Sequence, residues 1–91
     1  MELNKALGQA LKNARLRRGF TQEDFGAISS RTYISSLERG IKAVTVSKLT
    51  DIAQTMDVHP LSILVEGYIL QSGESLDVVL ERIRAELAGA P

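Results

Sequence analysis

TQEDFGAISSRTYISSLERG, Thr21 to Gly40, carries two short helix signals on either side of a tight link. Thr21 offers a hydroxyl N-cap, and Gln22, Glu23 and Asp24 follow it with acids that suit the positive end of a helix dipole. A helix is expected over about 21–28, with Phe25 and Ile28 on one face. Ser29 and Ser30 supply the next N-cap, Ile34 and Leu37 make an i, i+3 apolar stripe, and Gly40 ends a second helix over about 30–38. Two short helices joined across Ile28 to Ser30 have the sequence form of a helix-turn-helix corner. The surface of the second helix is unusual, because serine and threonine compete with the backbone for hydrogen bonds and are poor choices for a face that meets only water.

Working outward, the remaining chain reads as helical throughout. Leu3, Leu7, Ala10, Leu11 and Ala14 recur at helical spacing before Gly19. Thr45 caps a helix with Val46, Leu49, Ile52, Ala53 and Met56 as its apolar stripe. His59 before Pro60 reads as an N-cap with proline at the first helical position. In the helix that follows, Leu61, Leu64, Val65 and Tyr68 are expected to face the core, so that Ile63, Ile69 and Leu70 point elsewhere. A helix apolar nearly all round needs a second partner. After a break at Gln71 to Glu74, Leu76, Val79, Leu80, Ile83 and Leu87 mark a final amphipathic helix. No β-period alternation is visible, and the expected class is all-α.

Composition narrows the function. The chain has no cysteine and one histidine among 91 residues, which excludes disulfides, thiolate catalysis and cysteine-ligated zinc. His59 reads as a cap or turn residue rather than a metal ligand. No glycine-rich phosphate loop or paired carboxylates stand out, so no enzymatic chemistry, cofactor or metal is expected. The apolar run from Leu61 to Leu70 is broken by Glu66 and is too short to span a bilayer, and a cytoplasmic protein without a membrane partner is expected. The formal net charge is zero, yet it is unevenly spread. Residues 1–48 hold nine Lys or Arg against four acids, and residues 49–91 hold two against seven. One half is therefore suited to a polyanion and the other would avoid it.

The outward side of the second corner helix fits that charge pattern. With Ile34 and Leu37 turned inward, Ser30, Arg31, Thr32, Ser35 and Ser36 are expected on or near the outside. Arginine can bond guanine O6 and N7 bidentately, and short hydroxyls let a helix approach base edges closely in a major groove.

TQEDF, then SSRTYISSLERG, then LTDIAQTMDVHPLSIL resemble, in order and at nearly the same spacing, the Cro and phage-repressor type of helix-turn-helix regulators, also called the xenobiotic-response-element family. The resemblance covers roughly Leu7 to Val65. It implies a five-helix phage-repressor-like domain at 1–71, followed here by an additional C-terminal amphipathic helix at 72–91. It further implies base contacts from Ser30, Arg31, Thr32 and Ser36. Phosphate contacts are implied for Gln22, Lys42 and Thr45, and Tyr33 falls where family members meet phosphate or the helix edge. A structural ion pair between Arg15 and Glu38 is also implied. Arg17 and Arg18 read equally as phosphate contacts and as a solvated helix end. Relative to the family, the link between the corner helices is about two residues shorter and lacks its glycine, so the angle between them is open.

The expected function is sequence-specific binding of double-stranded DNA by a homodimeric transcriptional regulator, a repressor or autoregulator reading an inverted repeat. The dimer surface is expected from Ile63, Ile69, Leu70, Leu76, Val79, Leu80, Ile83 and Leu87, with 72–91 as the dimerisation element. No effector domain is expected within 91 residues, so control would come from concentration, competition or a regulatory protein partner. The alternative is an antitoxin-like module whose acidic C-terminal helix binds another protein while the basic half binds DNA.

Overall fold

A computed structural model describes residues 1–89; residues 90 and 91, the end of the expected C-terminal element, lie outside the described residues. The described residues form five α-helices and one 3₁₀ turn, with no strand. They are α1 (Leu3–Arg17), the 3₁₀ turn Gln22–Phe25, α2 (Arg31–Glu38), α3 (Val46–Thr55), α4 (Pro60–Ser72) and α5 (Leu76–Leu87).

Each start is marked by a side chain that satisfies a backbone N–H the helix cannot. The Ser30 hydroxyl accepts from Tyr33 N at 3.1 Å, Thr45 Oγ1 from Lys48 N at 3.1 Å, and His59 Nδ1 from Leu61 N at 3.0 Å. The segment expected as a helix over 21–28 is only a four-residue 3₁₀ turn. Thr21 N donates to the Asp24 carboxylate at 2.7 Å, and by Ile28 and Ser29 the chain has already turned, both donating to the Phe25 carbonyl at 2.9 Å. The short link leaves no residues for a full second turn, because Ser30 must already cap α2.

The core gathers Ala10, Leu11 and Ala14 of α1, Phe25, Ile34 and Leu37 of the corner, Leu49, Ile52, Ala53 and Met56 around α3, and Ile63 of α4. Small residues set how closely α1 approaches its neighbours. A Cβ at Gly8 would lie 2.4 Å from the Leu37 carbonyl oxygen and 2.6 Å from that of Glu38, so only glycine lets α1 seat against the carbonyl end of α2.

The orientation of α4 corrects two expectations together. Ile63 is 2% exposed and belongs to the core, not to an outer surface, while Leu61 and Tyr68 are exposed rather than packed inward. Leu64 and Val65 are half-buried. Gly67, one turn after Ile63, explains the rotation: a Cβ there would meet Leu7 Cδ2 at 2.4 Å, so the Ile63–Gly67 stripe is the one against which α1 lies. Val46, expected in the α3 stripe, is 73% exposed at the first position of its helix. Among the described residues no helix is long and apolar enough to cross a membrane.

Candidate nucleic-acid interface

A buried ion pair anchors the corner. Arg15, in the last turn of α1, donates from Nε to Glu38 Oε2 at 2.6 Å and from Nη2 to Oε1 at 2.9 Å, and its Nη1 donates to the Phe20 carbonyl at 3.0 Å. Gln22 Nε2 donates to the same Glu38 Oε1 at 3.1 Å. Both charged side chains are at most 10% exposed. The hydrogen bonds to Glu38 raise the Arg15 pKa above its ordinary value against the opposing effect of burial. The forked geometry fixes orientation as well as distance, so the end of α2, the end of α1 and the first residue of the 3₁₀ turn are held as one unit.

At the other end of α2, Arg31 and Thr32 stand exposed on the first turn. Gln22, Arg31, Thr32 and Ser35 line a single open hollow between the 3₁₀ turn and α2. Arg31 Nε lies 2.9 Å from Glu23 Oε1, and the two side chains are 69% and 61% exposed. Ser30 is exposed beside them, with its oxygen committed to the cap of α2 and its hydroxyl hydrogen still available. Ser36 does not share this face. It is 8% exposed, and after Gly40 the chain turns back to the helix end, with Ile41 N and Lys42 N donating to the Ser36 carbonyl at 3.0 and 3.4 Å. Expected on the outward side as a base contact, Ser36 is buried; Ser35 sits in the hollow instead.

Tyr33 is half-buried and flanked by two cations. Lys42 Nζ lies 5.4 Å and Lys48 Nζ 5.8 Å from its ring centre, within cation–π range. Lys48 Nζ also donates to the Ile28 carbonyl at 2.8 Å, tying α3 to the link before α2. Thr45 is exposed at the N-terminus of α3, beside this pair in sequence.

Arg17 and Arg18 are exposed at the end of α1, and each also has a partner within the chain. Arg17 Nη2 donates to Glu66 Oε1 of α4 at 2.6 Å, and Arg18 Nε donates to the Met56 carbonyl at the end of α3 at 3.0 Å. Local reading missed a further group, on α1. Lys5, Gln9 and Lys12 of α1, together with Gln22, Ser35, Glu38 and Arg39, line a second hollow that shares Gln22 and Ser35 with the first. Lys5 and Lys12 are seven residues apart and share the helical face of Arg15, so the α1 period combined with the Arg15–Glu38 pair carried the signal.

Comparison with known proteins matches this arrangement. Residues 11–63 fit the family model HTH_3, described as helix-turn-helix. The chain is 36% identical over 66 residues to the uncharacterized HTH-type transcriptional regulator y4dJ of Sinorhizobium fredii, covering 70% of this chain and 86% of that protein. Its fold is similar to the crystal structure of the clp gene regulator ClgR from C. glutamicum, with a TM-score of 0.70 and 30% identity over 75% of this chain and 91% of that one. The chain belongs to the Cro/C1-type helix-turn-helix family of transcriptional regulators, a DNA-binding and non-enzymatic family.

Proposed function

We propose that this regulator reads the major groove of an inverted repeat in double-stranded DNA as a homodimer, in a bacterial cytoplasm, and acts as a repressor or autoregulator. The observation that carries the reading is the exposed first turn of α2, where Arg31 and Thr32 stand beside Gln22 while the far end of the helix is locked by Arg15 and Glu38. Arg31 addresses guanine, and Thr32 and Ser30 offer hydroxyls to neighbouring base edges. Gln22, Tyr33, Lys42 and Thr45 meet phosphates and fix register, and Lys5, Lys12 and Arg39 extend the positive surface along the flanking backbone. The N-termini of α2 and α3 add partial positive charge at the same edge.

Dimerisation is assigned to the apolar side of α4 and α5 at Ile69, Leu70, Leu76, Val79, Leu80, Ile83 and Leu87. A twofold contact there holds two recognition helices about 34 Å apart, one helical turn of DNA. Retention of an unrelated protein in place of a second copy would favour the antitoxin-like arrangement, since the same face serves both.

Two substitutions test the contacts. Arg31→Ala is expected to weaken specific binding by about 1–3 kcal/mol and relax preference at one base pair, and equal losses on specific and random duplexes would reduce Arg31 to a phosphate contact. Lys42→Ala is expected to weaken all sequences alike and to lower the salt dependence by about one unit of slope, whereas an unchanged slope would remove Lys42 from the interface.

A further inference from the structure

We propose that Glu23 is a positioning residue for Arg31, holding its guanidinium at the Nε side so that the Nη1–Nη2 end is presented to a base edge, and thereby sets how sharply the helix discriminates guanine. The inference rests on the reading of Arg31 as a base contact given above.

Arg31 is the first residue of α2 and has the long, rotamer-rich side chain that most needs orienting before it can make two parallel hydrogen bonds. Glu23 stands on the facing element. Its closest approach to the guanidinium is at Nε, 2.9 Å away, which leaves the forked end to a partner. The backbone beneath Glu23 is fixed on both sides: Gln22 is held by Glu38, and Asp24 accepts the Thr21 N–H at 2.7 Å. Arg31 is likewise rooted in a helix whose last residues are locked to α1. The carboxylate, 2.9 Å from Arg31 Nε, therefore starts from a fixed backbone.

Stability does not account for the pair. Both side chains are mostly in water, where such an ion pair contributes little to folding. A carboxylate also stands badly on a surface that meets phosphate, because it repels the backbone in every register. Its presence at the tip of the recognition face makes sense if that loss of indiscriminate affinity is offset when the correct base completes the arginine's hydrogen bonds and water is expelled from around the pair. Glu23 also lies near enough to Arg15 to add to the rise of its pKa, so one acid bears on both ends of the corner.

The test uses fluorescence anisotropy at fixed salt with the full chain and the variants Glu23→Gln, Glu23→Ala, Arg31→Ala and Glu23→Gln/Arg31→Ala. The duplexes are one selected from random sequence by the wild type, its single-pair substitutions, and an unselected control. For Glu23→Gln and Glu23→Ala, the preference at the base pair that Arg31 reads is expected to fall roughly three- to tenfold, with other positions unchanged. Affinity for the control duplex is expected to rise about two- to fivefold as a negative charge leaves the surface. In the Arg31→Ala background, Glu23→Gln should produce only that rise and no further loss of discrimination. Full retention of the preference in both Glu23 variants overturns the proposal, as does an equal loss with and without Arg31, which would make Glu23 a general support of the fold. Should Arg31→Ala leave preference intact at every base pair, the base-reading role itself has failed and the proposal falls with it.

Discussion

α1 and α5 are both amphipathic helices with apolar residues at helical spacing, yet α1 buries Ala6, Gly8, Ala10, Leu11 and Ala14 and α5 buries nothing. The difference lies in what each stripe packs against: α1 lies on both α2 and α4, and α5 on α4. Small side chains on α1 let backbones approach, and the neighbours they admit come from the same chain. α5 carries Leu76, Val78, Leu80, Ile83 and Leu87, all more than a third exposed, and rests chiefly on α4. The radius of gyration, 13.8 Å, exceeds the ~12 Å of a compact chain of this length, as an arm held away from the core requires. An apolar period states that a face is to be covered, but not by what: Leu49 and Ile52 of α3 are buried by the same chain, whereas Leu76 and Leu87 of α5 are left exposed.

The contrast breaks most visibly at the buried pair. Glu38→Ala is expected to lower the unfolding free energy by about 3–5 kcal/mol, because Arg15 would be left charged and unpaired among buried groups. A urea titration followed by circular dichroism measures this, and a loss below about 1 kcal/mol would mean the pair is no more than a surface contact. Gly8→Ala comes next. The new methyl group would press on two carbonyl oxygens of α2, with an expected loss of about 1–3 kcal/mol that outweighs the roughly 1 kcal/mol gained in helix propensity. A gain in the same titration would show that α1 can shift without strain. Removal of residues from Leu76 onward should change the core least, by under about 1 kcal/mol when measured on the monomer. It should nevertheless convert a dimer to a monomer, with less than half the original mass by light scattering, and abolish the concentration dependence of unfolding. An unaltered mass would assign self-association to α4 alone.

Much of the fold was legible because its signals are local. A hydroxyl or imidazole cap needs only the next three residues, so the starts at Ser30, Thr45 and His59 could be read directly, and the αL end at Gly40 follows from one residue type. The rotation of α4 was not legible from periodicity. A helix apolar on every side has no phase, and the informative residue was Gly67, which marks a close approach by what it lacks. Ser36 reads as outward from the Ile34–Leu37 stripe alone, yet it is 8% exposed. The partners of Arg17 and Arg18 lie 49 and 38 residues away, beyond any local rule. Glu23 illustrates the reverse case: as an acid in a first turn it already had a sufficient local explanation, and only the distance to Arg31 shows a second use. The family match ends at residue 63, before α5 begins.

The most direct test of the account is selection of random duplexes by the 91-residue chain, followed by sequencing of the bound fraction. The account predicts an enriched inverted repeat with half-sites about one helical turn apart and a guanine that ceases to be selected by Arg31→Ala. Enrichment of no sequence, or of the same sequence by the wild type and by Arg31→Ala, would contradict the claim that the exposed first turn of α2 reads DNA.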